Sequence, residues 1–218
     1  MTLENEILGS EATEPEGAAQ AARAAFQSAS DLAGTMAREL ADQVGAVSEE
    51  VLHTLRGGGK LMFCGNGGSA ADAQHLAAEY VVRFRENRIA LPAIALTTDT
   101  SVLTAGGNDL GFDTIFARQV EALGRRGDLL ILHSTSGNSE NLVQAASVAA
   151  RMGLRTVGVL AKDGGRLKPL VDRALVVPTE MTARAQEMHL AIGHIVCDWV
   201  DSRFTDGSAV LPGGAGNA

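Results

Sequence analysis

Apolar residues along this chain recur at two different intervals. Between Gly17 and Arg56, Ala22, Phe26, Leu32, Met36 and Leu40, followed by Val44, Val47, Val51 and Leu55, step mostly by three or four residues, the spacing of one helix face. Two helices are predicted there. The run Gly57-Gly58-Gly59 should stop the second, because glycine takes the left-handed backbone that closes a helix without a Cβ penalty. Beyond it, short apolar runs at 61–64, 93–97, 129–133, 156–161 and 174–177 predict five buried strands. Helical stretches are expected at 69–84, 111–123 and 138–152, and a last amphipathic one from 182 to about 204. Strands alternating with helices in this way specify an α/β fold with a parallel sheet covered on both faces. Residues 1–15 are polar and aperiodic and read as a mobile leader, and 16–57 as N-terminal helices packing on the core. Residues 58–206 form the main domain. The segment 207–218, with Gly207, Pro212, Gly213, Gly214 and Gly216, is expected to be a disordered tail.

Composition narrows the class. A chain of 218 residues, 45% hydrophobic and 20% charged, has the size and balance of one domain with a sizeable core, which excludes global disorder and collagen-like or coiled-coil designs. Eighteen basic against 26 acidic residues leave a net charge of −8, so no basic surplus exists for a nucleic-acid backbone. Only Cys64 and Cys197 occur, no charged segment leads into an apolar run after Met1, and no apolar run reaches the ~18 residues of a membrane span. A cytoplasmic protein is expected.

In open α/β sheets, ligands sit beyond the carboxyl ends of the strands. Strand one leads into Gly65-Asn66-Gly67-Gly68-Ser69 and a helix, which would aim backbone N–H groups and the positive end of the helix dipole at an anion; the alternative is a tight turn capped by serine. Gly65, Gly67 and Ala70 also satisfy a loose dinucleotide fingerprint, but its acidic partner belongs ~20 residues on and Asp99 comes too late. Strand three leads into Ser134-Thr135-Ser136-Gly137-Asn138-Ser139, whose four hydroxyls exceed what one helix cap requires and suit a phosphate monoester. No Gly-Lys-Ser/Thr follows either loop, so nucleoside triphosphate hydrolysis is not expected.

His75 and Glu79, four residues apart, lie about 40° apart on one helix face, while Gln186 and His194 on the last helix lie about 80° apart. His189, about 140° from His194, points elsewhere. Two imidazoles, a carboxylate and an amide oxygen form either a Zn²⁺ site or a buried polar cluster. A carboxylate and an imidazole beside such a site would also move protons between adjacent carbons. Asp99 either binds a sugar hydroxyl or caps the following helix. Arg83, one turn from Glu79, either steadies it or is a solvated helix-end charge. His53 and His133 read as surface and strand-end positions, and both cysteines as small core residues.

Taken together, Cys64-Gly-Asn-Gly-Gly-Ser69, His75 with Glu79, Arg83-Phe-Arg-Glu-Asn-Arg88, Gly107-Asn-Asp109, Ser134-Thr-Ser-Gly-Asn-Ser139 and Gln186-Glu-Met-His-Leu190 resemble the phosphoheptose isomerases of the sugar isomerase (SIS) domain family. The resemblance runs from about Gly17 to Phe204. It implies a three-layer αβα sandwich with a five-stranded parallel sheet, and a homotetramer carrying one Zn²⁺ per subunit. It further implies aldose–ketose isomerisation of sedoheptulose 7-phosphate to D-glycero-D-manno-heptose 7-phosphate through a cis-enediol, for heptose biosynthesis. By the same resemblance His75, Glu79, Gln186 and His194 hold the metal, and Glu79 and His194 form the acid/base pair. Asn66, Gly67, Gly68, Thr98 and Asp99 would touch the sugar, together with Glu79 and Gln186. Ser69, Ser134, Thr135, Ser136 and Ser139 would grip the phosphate. Ala70 and Ala183 stand where some members carry histidine and aspartate, which withdraws those groups from any ring-opening step. The rival functions are an SIS isomerase of another phosphosugar and a non-catalytic phosphosugar-binding or replication-initiator adaptor. One adaptor branch lacks the glutamate and the last histidine, and both are present here.

Overall fold

The structure, a computed structural model, describes residues 15–205 and residue 211. The rest of the expected leader and tail lies outside the described residues. Two helices open the chain, α1 (Pro15–Glu39) and α2 (Ala41–Arg56), parted only by Leu40, which still exchanges helix-type bonds with Met36 and Val44. Pro15, placed by sequence at the end of the leader, instead begins α1, where its fixed φ suits a first helical turn. Then follow β1 (Leu61–Gly65), α3 (Gly68–Val81), β2 (Ala93–Ala95), α4 (Thr100–Asp109), α5 (Ile115–Leu123), β3 (Leu129–Ser134), α6 (Glu140–Met152), β4 (Arg155–Ala161), β5 (Arg173–Val177) and α7 (Thr182–Thr205). Leu211, assigned by sequence to a disordered tail, is half-buried against the core.

All five strands are parallel in the order β2-β1-β3-β4-β5. Strand periodicity divides their side chains between two apolar layers. Leu61 and Phe63, Leu129 and Ile131, and Val157 and Val159 enter the core made with α2, α3 and α7. Met62 and Cys64, Leu130 and Leu132, and Leu160 enter the other, made with α5 and α6. Helices therefore cover both faces, and the three-layer αβα sandwich follows.

The edges depart from the expected five buried strands. β2 has three residues, of which only Ala95 is buried, because Thr98 turns its hydroxyl onto the Ala95 carbonyl and Asp99 starts a new helix. That helix, α4, buries none of its residues completely, so it carries no apolar stripe for sequence periodicity to detect. The helix expected at 111–123 divides into a short 3-10 turn, Phe112–Thr114, and α5.

On β3, His133 shares the face of Leu129 and Ile131 and meets His189 of α7, with ring centroids 6.1 Å apart. Both side chains are buried. His189 Nε2 lies 3.0 Å from the Leu160 carbonyl oxygen, but neither His133 nitrogen nor His189 Nδ1 has a protein partner among the described residues. Burial, reinforced by His189, pushes His133 from 6.5 down to about 3, and burial lowers His189 as well. Between these limits the unfolded chain binds protons that the folded chain refuses, so stability is present above pH 6.5 and is lost as pH falls toward 3. Each such proton steepens the loss by up to about 1.4 kcal/mol per pH unit. Urea unfolding between pH 7 and pH 4 should therefore show a shallower pH slope for His133→Leu than for the parent chain.

Candidate active site

The order β2-β1-β3 makes a topological switch between β1 and β3, and their paired ends, Gly65 with His133, bring the two candidate anion loops side by side. The loops are joined by a reciprocal amide pair. Asn66 Nδ2 donates to Asn141 Oδ1 at 2.9 Å, and Asn141 Nδ2 donates back to Asn66 Oδ1 at 3.0 Å. In the first loop Gly67, at φ 58°, occupies the N-cap position of α3, so Ser69 is not the cap. It is buried inside the first turn instead.

The second loop is braced from beneath. Gly137, at φ 64°, lies so close to the β4–β5 connection that a Cβ would stand 2.5 Å from the Gly164 carbonyl carbon. Its N–H donates to Ser134 Oγ at 3.0 Å, leaving the Ser134 hydroxyl proton to be donated elsewhere. Ser139 is the N-cap residue of α6, yet its side chain makes no capping bond. The surplus of hydroxyls inferred from sequence is therefore present as hydroxyls not spent on the helix.

His75 and Glu79 project from α3 and His194 from α7. His75 Nε2 stands 2.9 Å from His194 Nε2 and 3.3 Å from Glu79 Oε1. Ligand atoms of the three residues all lie within 4.8 Å of one another. The Phe84 ring lies against His194 at a centroid distance of 5.3 Å. This convergence depends on how closely α3 and α7 approach: a Cβ on Gly193, the residue before His194, would stand 2.6 Å from Leu76 Cδ1.

Gln186 lies further up α7, eight residues before His194 and about 12 Å along the axis. Its amide faces the first turn of α3, where a Cβ at Gly68 would stand 2.9 Å from Gln186 Cδ. Asp99 caps α4, its Oδ1 accepting the Val102 N–H at 3.0 Å, and Thr98 is exposed beside it. Arg83 lies beyond the end of α3 and is exposed. Cys64 and Cys197 are free and buried, and burial raises both thiols, Cys197 to about 12.

The SIS domain signature matches residues 26–161. A phosphoheptose isomerase of Chlorobaculum parvum is 55% identical over 171 residues, 77% of this chain and 82% of that protein. The chain belongs to the phosphoheptose isomerase family.

Among solved structures, the phosphoheptose isomerase of Neisseria gonorrhoeae is 42% identical with a TM-score of 0.79, covering 84% of this chain and 98% of its own. That of Francisella tularensis is 35% identical with a TM-score of 0.82, covering 85% and 98%. Within this phosphoheptose isomerase fold, sequence spacing missed the part played by Arg88. Its side chain is almost fully buried and donates to the Glu79 carbonyl at 2.7 Å, whereas Arg83, the arginine at helical spacing from Glu79, is exposed. The signal available was weak, an arginine nine residues downstream of Glu79 and outside any helical period.

Gly193→Ala should destabilise the chain by about 1–3 kcal/mol in urea unfolding, since overpacking forces α3 and α7 apart. Combined with Leu76→Ala, the loss should be smaller than the sum of the two single effects, because the deleted isobutyl group is the one the new methyl meets.

Proposed function

We propose that this chain converts sedoheptulose 7-phosphate to D-glycero-D-manno-heptose 7-phosphate, an aldose–ketose isomerisation serving heptose biosynthesis. The observation that carries the reading is the meeting of Glu79 with His75 and His194 beside two phosphate-type loops, in a chain 55% identical to a phosphoheptose isomerase. Phosphate would lie among Ser69, Ser134, Thr135, Ser136 and Ser139, where hydroxyls and the starts of α3 and α6 supply donors to an anion. Asn66, Gly67, Gly68 and Thr98 border the sugar, and Asp99 keeps Oδ2 for a hydroxyl while Oδ1 caps α4.

In the open-chain ketose, a base takes one proton from C1 as O2 gains one, giving a cis-enediol. Return of a proton to C2 with loss of the O1 proton gives the aldose, and no atom is gained or lost. Glu79 and His194 divide these transfers, each holding a proton in turn. His75, Glu79 and His194 suit Zn²⁺, one per subunit: bonds of 2.0–2.1 Å in a tetrahedron imply ligand separations of ~3.3–3.4 Å, against 2.9 and 3.3 Å here. Gln186 would complete the set by turning its amide from Gly68. Bound there, the cation would polarise the substrate's C1 and C2 oxygens.

A homotetramer belongs to the same reading. Its support is an apolar groove of about 770 Å³ between α1, α2 and α7, lined by Met36, Val44, Ile192, Ile195 and Trp199, of which Ile195 and Trp199 are exposed. A cytoplasmic location is supported by the two unpaired thiols.

Purified chain incubated with a panel of ketose phosphates and followed by NMR should form the aldose from the heptulose phosphate in preference to pentulose or hexulose phosphates. Glu79→Gln should lower kcat by ~10²–10⁴-fold with folding and phosphate binding retained, and undiminished turnover would reject the role. Ser139→Ala should leave the thermal midpoint nearly unchanged, because no capping bond is lost, while KM for the phosphosugar rises by roughly 10-fold.

A further inference from the structure

The last turn of α3 ends without the glycine that commonly closes a helix. Its final carbonyls lack intrahelical partners, and a helix end left so must find donors elsewhere. Val82 N–H donates to the Ala78 carbonyl. Arg88 donates to the next two, through Nη2 to the Glu79 carbonyl at 2.7 Å and Nη1 to the Tyr80 carbonyl at 2.7 Å, the latter also accepting the Leu91 N–H at 3.0 Å. Nη1 also reaches the Ile89 carbonyl at 2.9 Å, and Nε donates to Asp201 Oδ1 at 2.6 Å. Both side chains of this ion pair are 2% exposed.

Asp201 stands two turns beyond His194 on α7 and gathers the connection after α3. Its Oδ2 accepts the N–H groups of Arg85 at 3.0 Å and Glu86 at 2.9 Å. Burial alone would raise its carboxyl, but these N–H donors and Arg88 hold it below the usual carboxylate range. The residue just before Arg85 is Phe84, whose ring lies against His194. One buried pair therefore reaches both proton-transfer groups, Glu79 through its own backbone and His194 through the ring packed on it.

Building on the isomerase reading, we propose that Arg88 and Asp201 are positioning residues that fix the Glu79 carboxylate relative to the His194 imidazole. They touch neither substrate nor the reacting atoms. Their contribution is to deny α3 the freedom to fray or slide against α7, and a displacement of about 1 Å in a reacting group can cost ~10²-fold in rate. Lysine cannot replace Arg88, since a single ammonium cannot reach four acceptors held in a planar fork.

The test uses the full chain carrying Arg88→Lys or Asp201→Asn, read by kcat and KM on sedoheptulose 7-phosphate and by amide hydrogen exchange. Both variants should lose ~10–100-fold in kcat with KM within about 2-fold. Exchange should accelerate at residues 79–82 and not in the central strands. Unchanged kcat in a folded variant, a rise in KM with kcat intact, or uniform acceleration across α3 and the sheet would each overturn the proposal. Should Arg88→Lys fail to fold, Asp201→Asn, which keeps the shape and one acceptor oxygen while turning the other into an N–H donor, is read against the same outcomes. If the parent chain turns over no ketose phosphate, the isomerase reading fails by itself. The clamp then stands or falls on exchange at 79–82, where unaltered protection in both variants overturns it.

Discussion

The site depends on one contact between helices. α3 and α7 run side by side in the same direction, Gly68 against Gln186 near their starts and Leu76 against Gly193 midway. Helix axes separated by ordinary side chains lie about 8–10 Å apart. At Gly193 no side chain intervenes, and Leu76 fills the space a Cβ would take. Everything chemical on the two helices is positioned by that approach: His75 and Glu79 lie one turn or less from Leu76, and His194 follows Gly193 directly. The hydrophobic packing that seats α7 on the sheet and the polar convergence at its surface are two faces of a single fit.

The sheet supplies the second half of the arrangement. Reversal of strand order between β1 and β3 opens a gap at their carboxyl ends, and the chain fills it with two loops rich in hydroxyls and glycine. A protein of net charge −8 gains little from a general pull on anions. On the proposed reading, recognition of a phosphate falls to short-range donors at fixed positions, which distinguish a sugar phosphate by shape and reach. The bracing of Gly137 on Gly164 and the burial of Ser134 hold those donors in place before any ligand arrives.

Much of the fold was legible because it is built from periodicity. The apolar runs at 61–64 and 129–133 read as buried strands, whose side chains the structure divides between two cores, and the stop at 57–59 ended α2 where expected. α4 was missed since its composition of threonine, glycine and asparagine leaves no stripe. At the site, spacing alone placed His75 with Glu79, because both sit on one helix. Their meeting with His194 is a tertiary fact that spacing left open between a metal site and a polar cluster, and only the family resemblance named it. Asp99 had two readings, and the hydrogen bond from Val102 assigns one of its oxygens to the cap. Arg88 was invisible for a different reason. Its role is defined by carbonyls, which every residue possesses, so no pattern of side chains announces it.

The paired amides of Asn66 and Asn141 carry an evolutionary implication. Each satisfies both hydrogen-bonding ends of the other, so replacing one strands a donor and an acceptor of its mate. Mutational paths through either position alone descend into a fitness valley, whereas a simultaneous exchange of both could cross it. Relatives sharing this scaffold should thus inherit the couple as a unit, varying together or hardly at all, although the two codons lie 75 positions apart.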